Sequence, residues 1–355
     1  MRKIAVILPS LDEKGPFIVA KNIISPLLKS DKYNVCLITL RGEQVSYEGL
    51  PVFSLKMNKF PRLSTIAELK VLIEKENVDL IHAHTFWPTV LASYIKVNKV
   101  VTVHNNPFED YSYEYGKFLG GFMAYIFTKR ANLFDKVVSI SKFVQSSVSN
   151  FGSLEEDKHL TIYNGINVDA MGGLKKKDLS NHISFIMVAA LISRKNISEA
   201  IELMVLLKSR GITASLSIVG EGPLFNNLKE QTIQYDLAEE VIFLGSQSYS
   251  KTMSLIQDAD VFLFTSKSEG FGLVLVEAML NGTVVLARKI PTTEEVLEND
   301  RLIFESHDEF TSKLDYIVEN YSLIQKESLE RAQTNFSFNL MSQRYLNVYD
   351  SIFER

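Results

Sequence analysis

The chain has 355 residues, enough for two domains that each bury a core of their own. Apolar residues make up 46% and charged residues 23%, a balance that fits a soluble globular protein and excludes a fibrous or disordered one. The single cysteine, Cys36, excludes an internal disulfide framework, and a net charge of −4 without a basic run leaves no footprint for nucleic acid.

Met1-Arg2-Lys3 precedes five apolar residues, Ile4 to Leu8, and Pro9 stops the run. That is too short for a secretory leader, and nothing approaches the roughly 20 apolar residues that span a bilayer. The expectation is a cytoplasmic protein. Charge is uneven along the chain. Residues 1–165 hold 20 Lys+Arg and 16 Asp+Glu, residues 166–355 hold 18 and 26, so a modestly basic first half precedes an acidic second half.

Strands are expected at 4–8, 33–40, 52–53, 80–82, 100–104, 136–140 and 160–162, with amphipathic helices such as 17–29 and 64–76 between them. The runs are continuous and rich in β-branched residues, as parallel strands buried on both faces require. Cys36 lies within one of them and reads as core. Asn164-Gly165 then marks a turn, and 171–177 reads as an exposed linker. The alternation restarts, with strands at 184–189, 214–219, 241–244, 261–264 and 284–287 and a short one near 302–304. Helices fit 197–209, 224–235, 249–257 and 273–280, and the tail from about 308 to 353 is mostly helical. This is an α/β chain of two βα-repeat domains in tandem, 1–170 and 171–340, with a final helix, 341–355, returning to the first. Doubly wound domains bind ligands beyond the carboxyl ends of their strands, and two facing one another make an inter-domain cleft.

One segment carries chemistry. The 261–264 strand runs into Thr265-Ser266-Lys267-Ser268-Glu269-Gly270-Phe271-Gly272, and a helix starts near Leu273. Gly270 and Gly272 let a ligand approach the backbone, and the helix start offers unpaired N–H groups to a phosphate or a sugar hydroxyl. Glu269 stands just before that helix and Glu277 two turns along it. Carboxylates pair well with vicinal hydroxyls.

Glu269-Gly-Phe-Gly-Leu…Glu277-Ala-Met…Asn281-Gly-Thr-Val-Val-Leu-Ala287 resembles the E-x7-E signature of glycosyltransferase family 4, retaining enzymes of GT-B fold with two facing Rossmann-like domains. The resemblance covers nearly the whole chain and is strongest from 162 to 287. It implies a sugar-nucleotide donor held by Glu269, Gly270, Phe271, Gly272, Leu273 and Glu277, with Glu269 at the sugar and Glu277 at the ribose. It implies no metal and no other cofactor.

Val188-Ala-Ala-Leu-Ile-Ser-Arg-Lys195-Asn196 is similar to the family's diphosphate-clamping loop. Lys195 falls on the lysine position, Ala190 stands where the family has arginine, and Arg194 is the candidate second cation. Gly220-Glu-Gly222-Pro and Phe243-Leu-Gly245 resemble the turns near the nucleotide. His84 and His104 end first-domain strands. The resemblance assigns His104 a reach to the donor sugar and His84 a place on the acceptor side. Lys14 and Gly15 stand where the family carries a Gly-Gly turn meeting phosphate and acceptor. The histidines lack the Cys or carboxylate companions of a metal site. Asp258-Ala-Asp260 imitates a metal-binding D-x-D but falls on a helix–strand joint.

Residues 111–130 are aromatic and partly basic. They read equally as a helix packed on the sheet or as a surface resting on the inner leaflet of a membrane. The resemblance therefore implies a hexosyltransferase acting on a glycan or lipid-linked acceptor in bacterial O-antigen, capsule or other surface polysaccharide synthesis. A sugar-nucleotide epimerase and a non-catalytic nucleotide-sugar-binding subunit are the alternatives.

Overall fold

The computed structural model describes residues 1–355 except 13–14, 43–45, 58–60, 152–154, 156, 168–173, 175–178, 180 and 355. Most of the expected linker at 171–177, and Lys14, lie outside the described residues. The chain forms two compact units, Met1–Gly165 with Phe338–Arg355, and Ile166–Ser337.

The first unit runs β1 (Arg2–Leu8), α1 (Gly15–Leu28), β2 (Tyr33–Thr39), β3 (Ser46–Tyr47), β4 (Leu50–Ser54), α2 (Leu63–Lys75), β5 (Leu80–His84), α3 (Phe86–Ala92), β6 (Asn98–Val103), α4 (Pro107–Tyr115), α5 (Lys117–Ala131), β7 (Lys136–Ser139), α6 (Lys142–Phe151) and β8 (His159–Thr161). Its sheet has the order β3-β4-β2-β1-β5-β6-β7-β8, parallel except where β3 and β4 form a hairpin. Ile4 to Leu8 are buried on both sheet faces, which explains their unbroken apolar run. Cys36 is core, and burial pushes its thiol up to about 11.

The second unit runs β9 (Ile183–Val188), a 3₁₀ turn at Ser193–Lys195, α7 (Ile197–Ser209), β10 (Ala214–Val219), α8 (Phe225–Gln234), β11 (Val241–Gly245), α9 (Tyr249–Asp258), β12 (Val261–Phe264), α10 (Leu273–Leu280), β13 (Val284–Arg288), α11 (Pro291–Leu297), β14 (Ile303–Phe304) and α12 (His307–Asn335). Its sheet is wholly parallel, in the order β11-β10-β9-β12-β13-β14. The last helix, α13 (Phe338–Phe353), belongs to the first unit.

The unit boundaries fall a few residues before the sequence-based ones. The Gly165 carbonyl accepts from Asn22 Nδ2 at 3.2 Å and its N–H meets Met341 Sδ at 3.1 Å, which ties it to the first unit. Ile166 instead bridges to Ser337 and donates its N–H to Phe336 O.

In each sheet the chain winds outward from one strand and then reverses to its other side. The reversals lie between β1 and β5, and between β9 and β12. There the loops leaving neighbouring strands diverge and open a crevice.

Asp260 shows what the D-x-D look-alike does. Its Oδ2 accepts from Ser184 N at 2.8 Å and from Ser184 Oγ at 2.6 Å, and its own N–H donates to Ser184 Oγ at 3.0 Å. The carboxylate fixes the start of β9 beside the start of β12. Asp260→Ala would leave the Ser184 N–H unpaired, and the expected loss is about 2 kcal/mol of stability. A urea midpoint equal to that of the parent chain would refute this structural role.

Candidate functional site

The crevice between β9 and β12 gathers the charged residues singled out above. β9 leads into the Ser193–Lys195 turn, and β12 leads into the 265–272 loop before α10. The two are stitched together. Lys267 N donates to Arg194 O at 2.9 Å, and Thr265 Oγ1 donates to Lys195 O and Asn196 O at 3.2 and 3.0 Å. Arg194 Nη1 donates to Ser268 O at 2.6 Å.

Glu269 sits at the centre. Lys195 Nζ donates to its Oε1, Arg194 Nη1 lies 3.1 Å from its Oε2, and Ser266 Oγ donates to Oε1 at 3.1 Å. Its side chain is only 11% exposed. Burial would push this carboxyl up, but Lys195 and Arg194 outweigh it and hold the group below the usual carboxylate range. Thr292, at the start of α11, donates its hydroxyl to Glu269 O at 2.6 Å and holds the loop from the opposite side.

Gly272 caps α10 at φ +75°, a left-handed conformation that side chains rarely adopt. Leu273 begins the helix, Gly270 is buried, and Phe271 packs edge-on against Phe336 with ring centroids 5.4 Å apart. Glu277 lies just over one turn into α10. Burial pushes its carboxyl up to about 7, partly offset by a hydrogen bond from Tyr249 at the start of α9. Gly220 and Gly222 have a packing role. A Cβ on Gly220 would sit 2.0 Å from Ala189 O, and one on Gly222 would sit 2.5 Å from Leu191 O. Their absence of side chains lets the β10 turn lie on the β9 turn. Gly245, at φ +66°, ends β11 beside Glu221, whose Oε1 accepts from Ser246 N at 3.3 Å.

In the first unit, β5 and β6 run side by side with His84 opposite Thr102, so His84 and His104 emerge at one sheet edge. His84 Nδ1 and His104 Nε2 are hydrogen-bonded at 2.8 Å. His82 is held by Tyr349 OH at 2.7 Å and Thr102 Oγ1 at 2.8 Å, and Thr102 Oγ1 also meets Tyr345 OH at 2.9 Å. Both tyrosines come from α13. Burial lowers His82 and His104 to about 3 and lowers His84 well below the ordinary value, so all three imidazoles are neutral near pH 7. His104 lines a cavity of about 340 Å³ walled by Trp87, Tyr111, Tyr115, Met123 and Phe127, with Arg41 on its lining. Gly15 is exposed at the start of α1.

Thr292, Tyr249, Tyr345 and Tyr349 act across long chain separations and belong to no motif in the sequence. Thr265 and Ser266 lie in the loop singled out above, but nothing in the sequence marks their hydroxyls as partners of the Lys195 turn and of Glu269. Among the described residues no group of three or more His, Cys, Asp or Glu could hold a metal ion. No helix among them is long and apolar enough to cross a membrane.

Two doubly wound units, one with Lys195, Arg194 and Glu269 clustered at its switch point, have the architecture of GT-B glycosyltransferases, and the comparisons give the class. Residues 23–170 match Glycosyltransferase Family 4, and residues 174–335 match Glycosyl transferases group 1. The chain belongs to the family 4 glycosyltransferases. The O-antigen biosynthesis glycosyltransferase WclY of Escherichia coli is 25% identical over 364 residues, which cover 99% of each chain. HepE of Anabaena, solved in complex with UDP, matches at a TM-score of 0.80 and 18% identity over 99% of this chain and 100% of that one. Sucrose-phosphate synthase of Thermosynechococcus elongatus matches at 0.83 and 16% identity over the whole of both.

The buried imidazoles predict an acid limb in stability. Their folded pKa values lie below the unfolded one near 6.5, so the folded state resists protonation that the unfolded state accepts. Stability present above pH 6.5 is lost as pH falls toward 4. His84→Gln, with one fewer buried imidazole, should show a shallower loss of melting temperature over that range. A slope unchanged from the parent would count against the assignment.

Proposed function

We propose that the protein transfers a hexosyl group, with retention of anomeric configuration, from a UDP- or GDP-sugar to a hydroxyl of a glycan or lipid-linked acceptor. The observation that carries this reading is the convergence of Lys195, Arg194, Glu269 and the start of α10 on the second unit's switch point. Two cations and a helix N-terminus suit a diphosphate, and two carboxylates suit sugar and ribose hydroxyls. HepE, solved with UDP-glucose, and WclY, named for O-antigen biosynthesis, support the donor and the pathway class.

In this reading the second unit binds the donor. Glu277 takes the ribose hydroxyls, Glu269 takes the hexose, and the amides of Gly270 to Leu273 help hold sugar and phosphates. Lys195 and Arg194 stabilise the departing diphosphate. The work is positioning and electrostatics, with no metal required. The first unit's cavity takes the acceptor, with His84 and Lys14 on that side, Gly15 meets the donor, and neutral His104 serves the reacting sugar by hydrogen bonding rather than by charge. The protein works in the cytoplasm. An inner-leaflet contact through α5 fits its exposed Phe118, Leu119, Phe122 and Tyr125 and the neighbouring Lys117 and Lys129.

The test is a thermal-shift screen of UDP- and GDP-sugars, followed by transfer of the labelled sugar to candidate acceptors. A bound donor raises the melting temperature by mass action. Lys195→Met should retain the fold and lose turnover by roughly two to three orders of magnitude, and near-parental transfer would refute the assignment. Interconversion of the sugar nucleotide without acceptor would make the protein an epimerase, and binding without turnover would make it a partner subunit.

Glu277 adds a pH signature. Hydroxyls bind its ionised form, so donor binding lowers its pKa and releases a proton. Donor affinity should therefore rise as pH increases from 6 to 8. Glu277→Gln should bind donor weakly with a flat profile, whereas a parental profile that falls with pH would exclude the role.

A further inference from the structure

In this site both candidate diphosphate cations are already engaged by one carboxylate. Lys195 and Arg194 reach opposite oxygens of Glu269, and Ser266 supports one of them. The three charged side chains are partly withdrawn from water, at 17%, 22% and 11% exposure for Lys195, Arg194 and Glu269. An ion pair in that setting is stronger than a surface pair and costs more to leave half-made. The cluster carries a net charge of +1, and a diphosphate asks for the charge that Glu269 now neutralises.

The two halves of a sugar nucleotide therefore make linked demands. Its phosphates need Lys195 and Arg194 free of Glu269, and its sugar needs Glu269 free of them. One exchange satisfies both. We infer that Glu269 is a counter-ion latch. It holds the two cations until the diphosphate displaces it, which turns the freed carboxylate over to the sugar. The inference rests on the donor reading above and adds an order of events to it: phosphate capture precedes sugar recognition.

The loop geometry suits such an exchange. Arg194 keeps its bond to Ser268 O, Thr292 keeps Glu269 O, and Lys267 N keeps Arg194 O. The carboxylate can change partners while the backbone that carries it stays braced.

A latch and a simple sugar contact differ in one measurable respect. A ligand with the diphosphate but without the sugar feels only the latch. Calorimetry of UDP and GDP with the full chain, in buffer without divalent cation, reads this directly. Glu269→Gln keeps shape and removes charge, so it should bind the cognate nucleoside diphosphate about tenfold tighter than the parent while losing glycosyl transfer. Unchanged affinity would make Glu269 a sugar contact only, and weakened affinity would make it a structural brace. Either overturns the latch while leaving the donor reading intact. A parent chain that binds neither UDP nor GDP overturns the donor reading and the latch with it. Should Glu269→Gln melt below the assay temperature, Glu269→Asp carries the test. Its carboxylate is one methylene short of both cations, and affinity should again rise, by a smaller factor.

Discussion

A parallel strand buried on both faces has its backbone paired and its side chains apolar, so it can offer chemistry only at its ends. That constraint organises this protein. β1, β9 and β12 are almost wholly buried. Polar function is pushed into the loops beyond their carboxyl ends, and the strand reversals bring two such loops together without a helix between them. At the β9/β12 reversal the pair is the Lys195 turn and the Glu269 loop. At the β1/β5 reversal it is the chain after Leu8 and the edge that carries His84.

The two units meet the constraint differently. The second answers with charge, balanced locally by Glu269, and with a second, partly buried carboxyl at Glu277, whose pKa is raised by desolvation. The first answers with neutral polar groups. Its imidazoles share hydrogen bonds with one another and with Thr102 and Tyr349, Tyr345 in turn holds Thr102, and none of the imidazoles carries charge near neutrality. A neutral histidine can orient a hydroxyl without drawing a diphosphate to itself. The division suits a reaction whose charge resides on the donor's leaving group and whose acceptor is a neutral hydroxyl.

What could be read from the sequence follows from this arrangement. The strand, loop and helix from Val261 to Leu280 are contiguous, so their residues announce themselves together. The buried parallel strands were equally visible, because burial on both faces writes an uninterrupted apolar run; β3, two part-exposed residues in a hairpin, carries no such run. The braces were not. Thr292 is 23 residues from Glu269, Ser268 is 74 from Arg194, and Tyr349 is 267 from His82. A threonine at the start of a short helix, or a tyrosine on a C-terminal one, looks like any other until the sheet order is known. The partial burial of Glu277 was hidden for a related reason. α10 is apolar on nearly every side, so no polar face marked where its one carboxylate would lie.

Ala190 is the sharpest departure from the family pattern, and Arg194 stands beside Lys195 on the turn that follows it. Both cations now stand on one three-residue turn, Ser193–Lys195, instead of on two positions several residues apart. Adjacent cations repel, and a short turn cannot separate them far. The turn must be held by something other than its own hydrogen bonds. Asn196 supplies part of the answer by taking a left-handed conformation, with its side chain donating to Glu199 Oε2 at 2.6 Å. Arg288, at the end of β13, pairs with the same glutamate. Thr265 takes the turn's last carbonyls, and Glu269 sets a negative charge between the two positive ones. The cation pair at 194 and 195 is thus coupled to β13 and to the loop that follows β12. The same carboxylate that relieves the repulsion is the one proposed to meet the sugar, so electrostatic repair and the proposed donor recognition converge on Glu269.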